Sequence, residues 1–163
     1  MSEYNIVMEM SNSTVVTEYE PLKKKSDAYQ SEQALENEFI RMLGEQGYEY
    51  LEIHNSETLV NNLRLQLELL NDYKFSDKEW EIFFNNKIAN YNEGIVEKTR
   101  KIQEDYIQVL EKDDGTSKNI YLIDKKNIHN NRLQVINQYV ENDGNYDNRY
   151  DVTVLVNGLP LVH

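Results

Sequence analysis

Apolar positions in this chain show no sustained period before Asp27, recur mostly every three to four residues from Ser31, and recur every second residue from Tyr106. From Ser31, the run Ala34, Leu35, Phe39, Met42 and Leu43 has helical spacing, and Gly44 and Gly47 supply its end. Tyr48 to Ile53 alternates apolar with acidic residues and predicts a short strand. Ser56 opens a second helix with Leu59, Leu63, Leu67 and Leu70 on one face and Asn61, Arg64 and Glu68 on another. Ser76-Asp77-Lys78-Glu79 is a capping-box sequence ahead of Trp80, Ile82, Phe83, Phe84 and Ile88, predicting a third helix that ends near Tyr91 to Gly94. Residues 55–94 therefore read as a helical insertion, an antiparallel pair packed on the rest.

From Tyr106 the period is two. Tyr106 to Leu110 and Asn119 to Asp124 are strands joined by Asp113-Asp114-Gly115, and Leu133 to Tyr139 is a third. After the polar stretch Asn142 to Asn145, Val152, Val154 and Val156 alternate with Asp151, Thr153 and Leu155. Asn157-Gly158 then closes a hairpin, because both central residues of a type I′ turn need positive φ, and Leu159-Pro160-Leu161-Val162 returns. The pattern predicts one α+β domain over residues 1–163. Its mixed, mostly antiparallel sheet has flanking helices, with the first helix on one face and the final strand incomplete. Residues 1–28 read as an N-terminal arm: Thr14 to Tyr19 is strand-like, Pro21 interrupts, and Lys23 to Lys25 is a solvated loop.

Composition narrows the chemistry. With 39% apolar and 28% charged residues in 163, the chain suits one folded domain. No apolar run approaches the roughly 20 residues of a membrane span, and Met1 to Asn12 lacks the basic start and apolar block of a secretory signal. A cytoplasmic location without membrane contact is the default expectation. The absence of cysteine excludes disulfides and thiolate zinc sites, and His54, His129 and His163 are scattered. Carboxylates with a hard cation are what remain. A net charge of -12 argues against the whole chain being a phosphate-binding surface, so a nuclease built on it depends on other parts to hold DNA.

Asp151 stands at the mouth of the terminal hairpin. Alone, an Asp there is an ordinary strand-edge residue. The whole stretch Asn148-Arg149-Tyr150-Asp151-Val152-Thr153-Val154-Leu155-Val156-Asn157-Gly158-Leu159-Pro160-Leu161-Val162, however, resembles the restriction subunit of type I restriction-modification enzymes. The resemblance extends back to about Tyr29. It implies a core of the PD-(D/E)xK restriction-endonuclease type, in which an Asp opens one strand and a Glu and a Lys sit two residues apart on the next. In the family this run leads into Ile-Glu-Leu-Lys, which sets the Glu and Lys two and four residues past His163. By resemblance Asp151 is the catalytic carboxylate and first metal ligand, and Mg²⁺ the implied cofactor.

Other site residues are open to two readings. Glu32 and Glu36, near the start of the first helix, suit dipole compensation and equally an accessory acid beside the metal, as nucleases of this fold often provide. Lys98, Arg100 and Lys101 form a basic spot that reads as a solvated helix face, or by resemblance as a DNA or interdomain contact. The implied partners are double-stranded DNA, the modification and specificity subunits, and the ATP-consuming motor of the same subunit. No phosphate loop of that motor occurs in these residues. With one carboxylate of the site present, this stretch alone is expected to be inactive. A non-catalytic assembly domain is the alternative.

Register supplies one geometric expectation. A two-residue turn pairs Val156 with Leu159, and continuing regularly sets Asp151 opposite the first position after His163. The family's Glu, one further on, would then face the other way. One extra residue near Pro160, which cannot donate a ladder hydrogen bond, restores a common face.

Overall fold

The structure is a computed structural model that describes residues 4–9, 15–19, 31–143 and 146–162. The chain divides into two units, residues 1–32 and 33–163. In the first, β1 (Tyr4–Glu9) pairs antiparallel with β2 (Val15–Tyr19), with an irregularity between Ile6 and Met8. β2 matches the strand expected at Thr14 to Tyr19; β1 carries no clear alternation and escapes the pattern. The loop expected at Lys23 to Lys25 and the break at Pro21 lie outside the described residues.

α1 (Glu32–Glu45) ends as its glycines require. Gly47 takes φ +92°, and the Tyr48 and Gly47 amides donate to the Leu43 and Gly44 carbonyls, at 3.1 and 3.0 Å, the two bonds of a Schellman motif. Of the expected apolar face only Leu43 is buried, while Leu35, Phe39 and Met42 stay half exposed. β3 (Glu49–Tyr50) follows. α2 (Ser56–Asn71) is capped by Asn55, whose side chain accepts from the Thr58 amide. α3 (Asp77–Phe83) starts with the expected capping box between Ser76 and Glu79. It passes into a π-helical turn at Phe84–Ile88, and α4 (Ile95–Gln103) follows.

The remaining strands are β4 (Ile107–Glu111), β5 (Ser117–Tyr121), β6 (Leu133–Asp143), β7 (Tyr146–Val156) and β8 (Leu159–Val162). They form a four-stranded sheet in the order β3-β6-β7-β8 and a separate β4–β5 hairpin. β3 pairs parallel with β6 and the other pairs are antiparallel, so the fold is α+β with a mixed, mostly antiparallel sheet.

The single sheet expected from all four late strands is thus corrected: β4 and β5 do not join β6. Side-chain amides explain why. Asn71 of α2 accepts from the Tyr121 amide (2.7 Å) and donates to its carbonyl (2.9 Å), occupying the groups a further strand would use. Asp124 then accepts from the amides of Lys126 and Asn127 and from the Asn130 side chain, which turns the chain away through a 3₁₀ turn at Ile128–Asn130.

Two apolar clusters follow. One joins Leu63 and Leu67 of α2, Phe75, Trp80 and Phe83 of α3 and its approach, Leu110 and Ile120 of the hairpin, Leu122, and Leu159 of β8. The other joins Ile53, Ile136, Tyr139 and Leu155, with Leu51 and Leu59 against it. α2 therefore spans both, with Leu59 in one and Leu63 and Leu67 in the other. α2 lies along β5 and α3 along β4, so the hairpin ties together the two helices that were expected to pair.

Candidate functional site

β8 carries the irregularity that the register argument requires. Val156 faces Leu159 and Leu155 faces Pro160, but Val154 faces Val162, so Leu161 is an extra residue on β8. The bulge sits beside Pro160, where the missing N–H makes a lost ladder bond cheapest.

The turn feeding β8 is held from three sides. Asn157, at φ 51° and 1% exposed, exchanges backbone and side-chain bonds with Arg132, and its amide group donates to the Leu122 carbonyl (3.0 Å) and to the Asn131 side chain (2.8 Å). Gly158, at φ +80°, lies against α2: a Cβ there would sit 2.6 Å from the Leu63 Cα. The turn reading of Asn157-Gly158 is thus correct, but it missed that both residues also dock the sheet on α2 and on the 122–132 segment.

Asp151 lies on β7 and is exposed. Alternation puts it on the face of the buried Thr153 and Leu155. Across the ladder, pairing passes from Asn137 with Val152 to Tyr139 with Tyr150, so Gln138 stands across from Asp151. Gln138 adopts φ 54°, unusual for a residue with a long side chain.

Glu36 meets the same region from α1. One of its oxygens accepts from the Asn137 side-chain amide (2.6 Å) and the other from that of Gln138 (2.7 Å), while Tyr50 donates to Asn137 (2.8 Å). Neither Asn137 nor Gln138 is distinguished in the sequence pattern. Glu32 is the first residue of α1 and is exposed. Among the described residues no group of three or more Asp, Glu or His side chains is placed to hold an ion together.

The basic spot divides in the structure. Lys98 is exposed on α4, and Arg100 is exposed with Glu104 at 3.9 Å. Lys101 is largely buried: its ammonium donates to the Lys87 carbonyl (2.6 Å) at the end of the π-helical turn and pairs with Glu93. That cation fastens α4 in place.

A second carboxylate, Glu79, is buried without having stood out in the sequence except as a cap. It accepts from the Ser76 amide (3.0 Å), the Asp113 amide (2.9 Å) and the Tyr73 hydroxyl (2.9 and 3.0 Å). The Ser76 amide above all, then the Asp113 amide and Tyr73, hold its pKa below the ordinary carboxylate range against the opposing effect of burial. Burial first, and then Glu79, push the Tyr73 hydroxyl up to about 12. The node locks the start of α3 to the β4–β5 turn.

The fold is thus a mixed α+β domain whose last hairpin carries the exposed Asp151 on β7 and a bulge on β8. The comparisons with known proteins give the family. Residues 29–163 match the model of the Type I restriction enzyme R protein N terminus, and the chain belongs to that family. It is 46% identical over 157 residues to the Type I restriction enzyme EcoprrI endonuclease subunit of Escherichia coli, covering 96% of this chain and 50% of that protein. It is 37% identical over 140 residues to the SsaAORF53P endonuclease subunit of Staphylococcus saprophyticus, covering 82% of this chain and 14% of the relative. A Staphylococcus aureus endonuclease subunit, SauMSSORF170P, is 36% identical with 83% and 14% covered. The chain thus spans between half and a seventh of the length of these relatives. No described helix is long and apolar enough to cross a membrane.

Proposed function

We propose that this chain is the endonuclease portion of a type I restriction enzyme R subunit, with a PD-(D/E)xK core. In this reading it cuts double-stranded DNA in a complex whose motor consumes ATP and whose modification and specificity subunits choose the substrate. Asp151 is the catalytic carboxylate and first metal ligand. The observation that carries the reading is the bulge at Leu161. Continued from the Val154–Val162 pair, the shifted register would set Asp151 opposite the second position beyond residue 163, where the family's Glu falls. Two acids directly across an antiparallel pair share a face, about 5 Å apart, which suits joint ligation of a hard cation. Such an ion, when bound, polarises the phosphate and acidifies the attacking water.

The described residues only half fit that ion. Asp151 offers an exposed carboxylate, but both oxygens of Glu36 already accept amide hydrogens, and no third acid joins them. Asp151 alone leaves a divalent cation mostly to its waters. The residues 1–163 are therefore expected to hold Mg²⁺ weakly and not to cut DNA unaided, all the more at a net charge of -12.

The test compares these 163 residues with a chain extended through the next strand, on plasmid DNA with Mg²⁺, in the presence of the remaining subunits and ATP. Cleavage is expected only from the extended, assembled form and is abolished by Asp151→Ala. Mg²⁺-dependent cleavage by residues 1–163 alone overturns the assignment. The assembly reading rests on Tyr91, Ile95 and Val96, apolar and well exposed around the start of α4. It is favoured if Asp151→Ala leaves cleavage intact.

A further inference from the structure

We infer that Gln138 is a positioning residue: its left-handed backbone clears the space beside Asp151, and Glu36 acts as the clasp that holds it there. The inference rests on the proposed nuclease reading.

In a regular antiparallel ladder the residue directly across from Asp151 shares its face, with the two Cβ atoms about 5 Å apart. A Gln in that position would lay a long amide side chain beside the carboxylate, where an incoming cation and phosphate must fit. Two observations put the side chain elsewhere. Asn137 and Gln138 are consecutive, so in an extended strand they point to opposite faces. Yet both donate to the one carboxylate of Glu36, at 2.6 and 2.7 Å. Ile136 and Tyr139 are three apart and should also oppose each other, yet both enter one buried cluster with Leu155. The alternation of β6 is therefore broken at Gln138, the residue whose φ is 54°.

A non-glycine residue in this region is strained, and persists only where its surroundings over-determine it. Here the surroundings are visible. Tyr50 donates to the Asn137 side-chain oxygen, which orients its amide toward Glu36, and the second Glu36 oxygen takes Gln138. Because the pairing before and after Gln138 keeps the same register, the strain moves a side chain without moving the strand. Glu36 thus acts on Asp151 through Gln138, and its hydrogen-bonded oxygens face amides.

The experiment varies the backbone preference at position 138. Gln138→Gly loses the amide but adopts positive φ without strain and carries no side chain to obstruct; Gln138→Leu loses the same amide, resists positive φ and returns a long side chain to Asp151; Gln138→Val resists it most and puts a branched side chain beside Asp151. In the assembled enzyme, Gly should cut plasmid DNA at close to the parent rate, and Leu roughly tenfold more slowly, because without the clasp the backbone returns to the extended form. Val should be slower still and need more Mg²⁺, while ATP hydrolysis is unchanged in all three. As a readout without cleavage, Mn²⁺ added to the isotope-labelled chain should broaden the Asp151 signal at the same concentration for the parent and Gly, and at severalfold higher concentration for Leu and Val. If Val does not fold, the Gly and Leu pair decides. Equal behaviour of Gly and Leu overturns the inference, as does a Gly variant as impaired as Val. Asp151→Ala separates this from the underlying reading: loss of cleavage there with indifference at position 138 refutes only the positioning role, and retained cleavage refutes the nuclease assignment itself.

Discussion

Gly158→Ala should be among the most damaging single-methyl changes in the chain, and the structure provides its own control. Gly158 joins the β7–β8 turn to α2 by bare backbone contact: an added Cβ would lie 2.6 Å from the Leu63 Cα, 3.0 Å from its nitrogen and 3.3 Å from its Cβ. Leu63 is mid-helix and buried, so the clash is with backbone that cannot rotate aside. Gly115, in the β4–β5 turn, has nearly the same φ, +81° against +80°, but nothing within 4 Å of an added Cβ. Both substitutions incur the cost of a side chain at positive φ, about 1–2 kcal/mol. Only Gly158→Ala adds overpacking, about 1–3 kcal/mol more, because hairpin and helix must separate. The total of about 2–5 kcal/mol is a large part of the roughly 5–15 kcal/mol that keeps a domain folded. Urea denaturation of the two variants beside the parent measures the difference, with an unchanged slope showing that the unfolded state is not responsible. If Gly158→Ala costs no more than Gly115→Ala, the close approach of turn and helix is wrong.

The Glu79 node makes a prediction about acid. Its folded pKa is lowered, so its contribution is present above the ordinary carboxylate range and is lost as pH falls through the lowered folded value. Glu79→Gln should flatten that acid limb of a stability–pH profile. Glu79→Ala, which strands two amides and the Tyr73 hydroxyl, should cost about 2–4 kcal/mol at neutral pH by thermal or urea melts. Lys101→Ala should cost about 1–3 kcal/mol through its lost bond to the Lys87 carbonyl and its pair with Glu93, whereas Lys98→Ala on the exposed face should stay within about 0.5 kcal/mol. Equal effects on melting would contradict a fastening role for Lys101.

Local rules made much of this molecule legible. The capping box at Ser76, the glycine end of α1, the Asp113-Asp114-Gly115 and Asn157-Gly158 turns and the late alternating strands depend on neighbours within a few residues, and each stands in the structure. The extra residue on β8 followed from parity and the chemistry of Pro160 together with the position of the Glu that the family resemblance implies. The detachment of β4–β5 from the main sheet did not, because it depends on Asn71, whose amide satisfies Tyr121 from 50 positions away. Lys101 looked like its neighbours Lys98 and Arg100 until the fold brought Lys87 and Glu93 to it. The surroundings of Asp151 were the least accessible of all: Glu36 reaches Asn137 and Gln138 across 101 and 102 positions, and a left-handed glutamine leaves no trace in a hydrophobic pattern. Periodicity reports which face a residue prefers; only packing decides where that preference is overruled.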